Sequence, residues 1–344
     1  MTGAGGDGFV AGAGWDGFVR VDGVPVHVRV EGSGPVAVLS AGLGLGWYDW
    51  DPVVPFLAPH RTVVRFDRPG HGLSGPAAVP PTAAGEARRI AVLLDALGLS
   101  GGGPVTVAGH SAAGFHAEAF ARLHPGRAAA LLLVDGSVAE APAAPLPALR
   151  TAAARALGTL ATAAGLPAAL GPAARRAMLR LGTVGPYDGA AERVGGAAGP
   201  YGGTPAPYGA GAPDAWDAGS PAPYDAGGAP APYRGAADPG LVRRCHRTSR
   251  VWRGMLLENA RYPAMAAEVL ALRATRPLPA GLPVTVLAGY DGSARRTALR
   301  WLAAQAALAD ALGARFEVAE PAGHLVMRDR PRQVARAVVA AVQA

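Results

Sequence analysis

The sequence contains no lysine; all 32 basic side chains are arginine. Isoleucine occurs once, at Ile90, and cysteine once, at Cys245. A single cysteine excludes an intrachain disulfide framework and any cysteine-based zinc site. Between Arg244 and His246, that thiol reads as a small, semi-buried side chain. No apolar run approaches the ~20 residues needed to cross a bilayer, so no membrane span is expected. The opening Met1-Thr2-Gly3-Ala4-Gly5-Gly6 lacks a basic region followed by an apolar run. The expectation is therefore no secretory leader and a cytoplasmic location. The net charge of +7 carries little functional weight. Arginine stands in for lysine on ordinary solvated surface, as the bias toward Ala, Gly, Pro and Arg in a GC-rich coding sequence would produce.

Half of the 344 residues are hydrophobic. That suffices for one large α/β domain with an insertion, or for two domains. The first 14 residues are glycine-rich and expected to be loose. Alternation over 18–21 and 26–30, with Asp22-Gly23 between, predicts a hairpin. Buried strands are expected at 36–39, 63–66, 105–110 and 130–134. Helices are expected at about 48–57 and 86–97, and directly after Ser111. Strands alternating with helices at this spacing predict a mostly parallel sheet covered on both faces.

The alternation stops after Ser137. Residues 142–181 read as helical pieces, and 241–273 return to helical spacing. Between them, 185–240 is rich in Gly, Pro, Ala and Tyr, with a crude Pro-Ala-Pro-Tyr repeat at 205, 221 and 230. Such composition predicts disorder. The sheet resumes with the run 282–288, with a helix over 297–312, a last strand at 315–318 and a closing helix from Pro331. The expected organisation is a core first part over 1–136, an inserted cap over 137–277, and a core second part over 278–344.

The strand 105–110 turns sharply through Gly109-His110-Ser111-Ala112-Ala113-Gly114 into a helix. A serine on such a turn has its hydroxyl exposed, with free helix N–H groups beside it. This is the G-x-S-x-G pattern with alanine at its fifth position. An ordinary N-cap serine in a βα loop is the competing reading.

Four separated blocks together resemble the α/β-hydrolase family. They are Gly42-Leu43-Gly44 with Trp47 and Trp50 following, Asp67-Arg68-Pro69-Gly70-His71-Gly72-Leu73-Ser74, Gly109-His110-Ser111, and Ala322-Gly323-His324-Leu325-Val326. The likeness runs from about Phe18 to the C-terminus, apart from the segment between Ser137 and about Pro277. It implies an eight-stranded-type, mostly parallel sheet with an inserted cap. It also implies a nucleophile Ser111 activated by His324, because a serine hydroxyl is a poor nucleophile until a base takes its proton. The expected acid is Asp291, after the penultimate strand, with Asp135, after the strand following Ser111, as the alternative. The oxyanion donors would be the backbone N–H groups of Leu43 and Ala112. Where the family often has His-Gly before the first donor, this chain has Ala41-Gly42, which leaves the loop without that histidine's brace. His110 and His71 are read as structural.

The implied activity is cleavage of an ester-like bond in a small, largely apolar substrate, without cofactor or metal. Serine at the nucleophile position argues against relatives with aspartate there, which open epoxides or displace halide. The alternatives are a ligand binder on the same fold, a cofactor-free haloperoxidase-like enzyme, or a C–C hydrolase. A dinucleotide site at Gly42-Leu43-Gly44-Leu45-Gly46 with Asp67 fails the G-x-G-x-x-G pattern at Trp47. Arg243, Arg244, Arg247, Arg250 and Arg253 read as one solvated helix face, not as a nucleic-acid site. The oligomeric state is left open.

Overall fold

The computed structural model describes residues 14–139, 146–184 and 235–341. The looseness expected of the N-terminus falls on 1–13 and most of the low-complexity segment on 185–234, both outside the described residues. Residues 235–240, within the stretch expected to be disordered, are described. There the Asp238 carboxylate accepts from Leu241 N at 2.6 Å and Pro239 opens a helix. An aspartate N-cap with proline at the first helical position is a strong local start signal.

The chain opens with the expected hairpin, β1 (Trp15–Val21) and β2 (Val24–Glu31), turning at Asp22 and Gly23, both at positive φ. Then come β3 (Val36–Ser40), α1 (Val54–Leu57), β4 (Thr62–Phe66), α2 (Ala83–Ala96), β5 (Val105–His110), α3 (Ala113–Leu123) and β6 (Ala128–Val134). The helix expected over 48–57 is broken into a 3-10 turn at Trp47–Trp50 and the short α1. Pro52 and Pro55 lack the N–H donors that a continuous ladder needs.

Between β6 and β7 lie α4 (Pro147–Ala163), α5 (Leu166–Gly182), α6 (Pro239–Arg247) and α7 (Ser249–Thr275). The chain then returns to the sheet with β7 (Val284–Gly289), α8 (Arg296–Leu312), β8 (Arg315–Ala319), α9 (Val326–Asp329) and α10 (Pro331–Ala340).

The eight strands form one sheet in the order β1-β2-β4-β3-β5-β6-β7-β8. Pairings β1–β2 and β2–β4 are antiparallel and the other five parallel. Strands β3 to β7 are buried along their lengths save at Ala129 near the start of β6, the signature of a sheet covered on both faces. One face packs on Ile90, Leu93, Leu94, Phe115 and Phe120 of α2 and α3. The other packs on Trp50, Phe56 and the apolar side of α10. The parallel strands β3, β5, β6 and β7 therefore end at one edge, where Gly42, Ser111, Asp135 and Gly289 all fall.

Candidate active site

At the end of β5, Ser111 stands at φ +52. A non-glycine residue there is strained by about 1–3 kcal/mol and persists only where its surroundings hold it. They do. Ser111 N donates to the Val134 carbonyl at 3.1 Å, and its own carbonyl accepts from Gly114 N at 2.8 Å and Ser137 N at 3.0 Å. Gly109 is required because a Cβ there would overlap the Ala113 carbonyl. The fifth-position alanine is accommodated: Ala113 is the first residue of α3 and wholly buried.

The Ser111 hydroxyl lies 2.9 Å from His324 Nε2, although the two are 213 residues apart. His324 follows β8 in a loop made tight by glycine. A Cβ on Gly323 would approach the Gly182 carbonyl to 2.5 Å. The His324 side chain is 45% exposed, so the Ser–His pair is open on one side.

Behind the ring, His324 Nδ1 lies 2.5 Å from Asp135 Oδ2. Asp135 ends β6 at φ +44 and is buried. Its other oxygen accepts from Gly289 N at 2.9 Å and from the Trp301 indole N–H at 2.8 Å. A turn later on α8, Gln305 Nε2 donates to the Gly136 carbonyl at 2.6 Å, so one helix face holds the whole turn.

Asp291, the acid expected behind the imidazole, is placed elsewhere. Its carboxylate accepts from Ser293 N at 3.0 Å and Ser293 Oγ at 2.7 Å, and pairs with Arg295. These bonds hold its pKa down to about 2. The imidazole's partner is the alternative position, Asp135.

The glycine loop after β3 packs directly on the serine. A Cβ on Gly42 would lie 2.9 Å from Ser111 Cβ and 2.8 Å from His110 Nδ1. The backbone N–H groups of Leu43 and Ala112 have no partner among the described residues. The histidine brace missing before Gly42 is replaced by Arg68. Its guanidinium donates to the carbonyls of Ala41 and, at 2.7 Å, Gly42. Glu258 of α7 neutralises it at 2.7 Å, receives Gly44 N at 3.3 Å, and faces His71 Nε2 at 3.2 Å. Although burial raises it, the Arg68 guanidinium, with the His71 ring beside it, holds the Glu258 carboxyl far below its ordinary range. Sequence reasoning placed Arg68 in a motif but missed this role, because its partner lies 190 residues away.

His110 is buried, and its Nε2 lies 2.8 Å from the His324 carbonyl. A carbonyl only accepts, so Nε2 carries the proton and the imidazole braces the His324 loop. Burial, then His324, pushes its pKa well below the ordinary value. Asp329 ties the same loop down from the other side, its Oδ2 accepting from Gly323 N at 2.7 Å and Val184 N at 3.1 Å.

The competing readings meet specific obstacles. The Asp67 carboxylate is buried and taken up by Trp47 N, Leu73 N and His27, leaving nothing for a ribose. The arginine run is divided between α6 and α7 rather than forming one solvated face, and Arg250 turns in to the carbonyls of His71 and Gly72. Burial pushes the Cys245 thiol up to about 11. Among the described residues, no group of three or more His, Cys, Asp or Glu side chains is placed to hold a metal ion.

A stretch of 105 residues is 35% identical to RutD of Azorhizobium caulinodans, whose name proposes a carbamate hydrolase. The match takes in 30% of this chain and only 38% of that protein's length. Among solved structures, Cfl2 from Burkholderia cenocepacia superposes with a TM-score of 0.61 at 21% identity, over 93% of each chain. The enol-lactonase from Burkholderia xenovorans LB400 does so with 0.57 at 20% identity, over 95% of this chain and 100% of that one. At these identities both speak for the fold. The family model described as alpha/beta hydrolase fold matches residues 35–331. With that span and this topology, the chain belongs to the alpha/beta hydrolase fold family.

Proposed function

We propose that the protein is a serine hydrolase that cleaves an ester-like bond of a small, largely apolar substrate through an acyl-enzyme on Ser111. The carrying observation is the chain of contacts from Ser111 Oγ to His324 to Asp135, at 2.9 and 2.5 Å. His324 Nε2 takes the serine proton as Oγ attacks the carbonyl carbon. Asp135 keeps the opposite proton on Nδ1 and balances the imidazolium that forms. The tetrahedral oxyanion is received by the N–H groups of Leu43 and Ala112, which have no partner among the described residues. His324 then gives its proton to the leaving group, and water repeats the sequence to release the acid.

The acyl bonds in the names of two similar proteins, a carbamate and an enol-lactone, agree with this class. The test is a panel of esters, lactones and carbamates on wild type and Ser111→Ala, with fluorophosphonate labelling of both. Turnover and labelling that vanish together in Ser111→Ala are expected. An unlabelled wild type inert on every substrate would leave the ligand-binder reading in its place.

A further inference from the structure

Helix α4 is built inside out, and α5 in part: its Met178 and Leu179 pack on the core while its other leucines turn outward. The side of α4 turned into the protein carries Thr151, Ala154, Gly158 and Ala161, all small. Gly158 lets α7 approach so closely that a Cβ would lie 2.9 Å from Arg253 Cγ. The opposite side presents Leu146, Leu149, Leu157 and Leu160, with Leu149 61% and Leu160 67% exposed. In α5, Gly171 sits against the His246 carbonyl, while Leu166, Leu170 and Leu181 face outward, Leu181 at 88%. An ordinary surface helix does the reverse, burying its large apolar side chains.

The charge on this hairpin has one sign. No acidic residue occurs from Leu146 to Val184. Arg175 turns inward to pair with Asp49, whereas Arg150, Arg155, Arg176 and Arg180 are exposed. Leucine stripes flanked by arginine are the makeup of a helix that lies in a membrane interface. The two helices are bent by 107°, and no single described helix is long and apolar enough to cross a bilayer.

We infer that the α4–α5 hairpin docks on an anionic lipid surface, its leucines among the acyl chains and its arginines at the phosphates. A second copy of this chain fits less well. A two-fold contact sets a patch against itself, and here that brings like charges together without acids from either hairpin. The docked surface also adjoins the base, because the Gly182 carbonyl, at the end of α5, accepts from Leu325 N at 2.7 Å. The inference does not depend on the reaction proposed above.

The test is sedimentation of the full-length protein with vesicles of equal parts phosphatidylcholine and phosphatidylglycerol, and with phosphatidylcholine alone. Wild type is expected to pellet with the anionic vesicles and much less with the neutral ones. The variant Leu149→Glu/Leu160→Glu/Leu170→Glu changes only exposed positions, so its thermal melt is expected to be unchanged. Its partition is expected to fall by at least about tenfold. Arg155→Gln/Arg176→Gln/Arg180→Gln is expected to abolish the preference for anionic vesicles. Wild type that stays in the supernatant overturns the inference, as does vesicle binding that survives the leucine variant. A dimer in analytical ultracentrifugation that the leucine variant dissociates, without vesicle binding, assigns the face to a second copy instead.

Discussion

Two Asp-Gly turns stand at the ends of neighbouring strands, Asp135-Gly136 after β6 and Asp291-Gly292 just after β7. Their carboxylates are treated in opposite ways. Asp291 is satisfied by its own turn, through Ser293 and Arg295, two and four residues on. Asp135 takes its bonds from groups 154, 166 and 189 residues away: Gly289, Trp301 and His324. A carboxylate completed by its neighbours has its acceptor sites filled before the fold closes. One that bonds nothing nearby is left for the fold to aim. Asp135 ends its strand at positive φ, directly beside Ser111 across the sheet, and is buried. Asp291 lies two residues past its strand, partly in water.

The largest expected effect breaks the comparison outright. Asp135→Asn keeps the shape but turns the wrong group to the imidazole, and is expected to lower kcat by about 10³–10⁴-fold. Asp291→Asn is expected to stay within about twofold. Steady-state kinetics on the best substrate from the panel measures both. The reverse ranking would return the acid to Asp291.

Glu258 sharpens the comparison at the glycine loop after β3, being another acid served only from afar. Glu258→Gln leaves the Arg68 guanidinium buried without its counter-charge, and is expected to cost about 3–5 kcal/mol of stability. Denaturant unfolding reads this. A loss under about 1 kcal/mol would show that the carbonyls of Ala41 and Gly42 suffice for Arg68.

The mostly parallel sheet and its hairpin were legible in the sequence because local pattern decides them, whereas the spatial order of the strands was not read from it. The run of Val and Leu in β3, β5, β6 and β7 needs no distant partner to be recognised. The meeting of Ser111 and His324 was legible because each sits in a compact block. Which carboxylate faces the ring was not, since the family position and the strand-end position both carry Asp-Gly, and only three-dimensional neighbours tell them apart. Arg68 and Trp301 escaped for the same reason. Their signal is a polar or indole side chain with no local partner, and that is visible only once its distant partner is in place.

His116 extends the contrast to a group that nothing serves. It is buried on α3, and both ring nitrogens lack a partner among the described residues. Burial lowers its pKa from 6.5 to about 4. A histidine depressed in the folded state binds fewer protons there than unfolded. Its stabilising neutrality is therefore complete above pH 6.5 and is lost as pH falls toward 4, at up to about 1.4 kcal/mol per pH unit. His246, also lowered to about 4 by burial, adds to the same window. His116→Leu is expected to flatten the fall by about one proton in unfolding measured between pH 7 and about 4.5. An unchanged slope would mean that the ring is hydrated.

Trp301 gives the smallest effect and the finest test of what separates the two aspartates. The indole N–H can only donate, and it fixes Oδ1 so that Oδ2 faces His324. Trp301→Phe keeps the aromatic bulk beside the imidazole and removes that one donor, leaving Gly289 N on Oδ1. A neutral hydrogen bond of this kind is worth about 1 kcal/mol, so kcat is expected to fall about fivefold with KM unchanged. Combined with Asp135→Asn, the substitution is expected to add little, because the indole acts only through the carboxylate. Full additivity of the two losses would place Trp301 in direct contact with substrate, and the orientation of Asp135 would then rest on the Gly289 N–H alone.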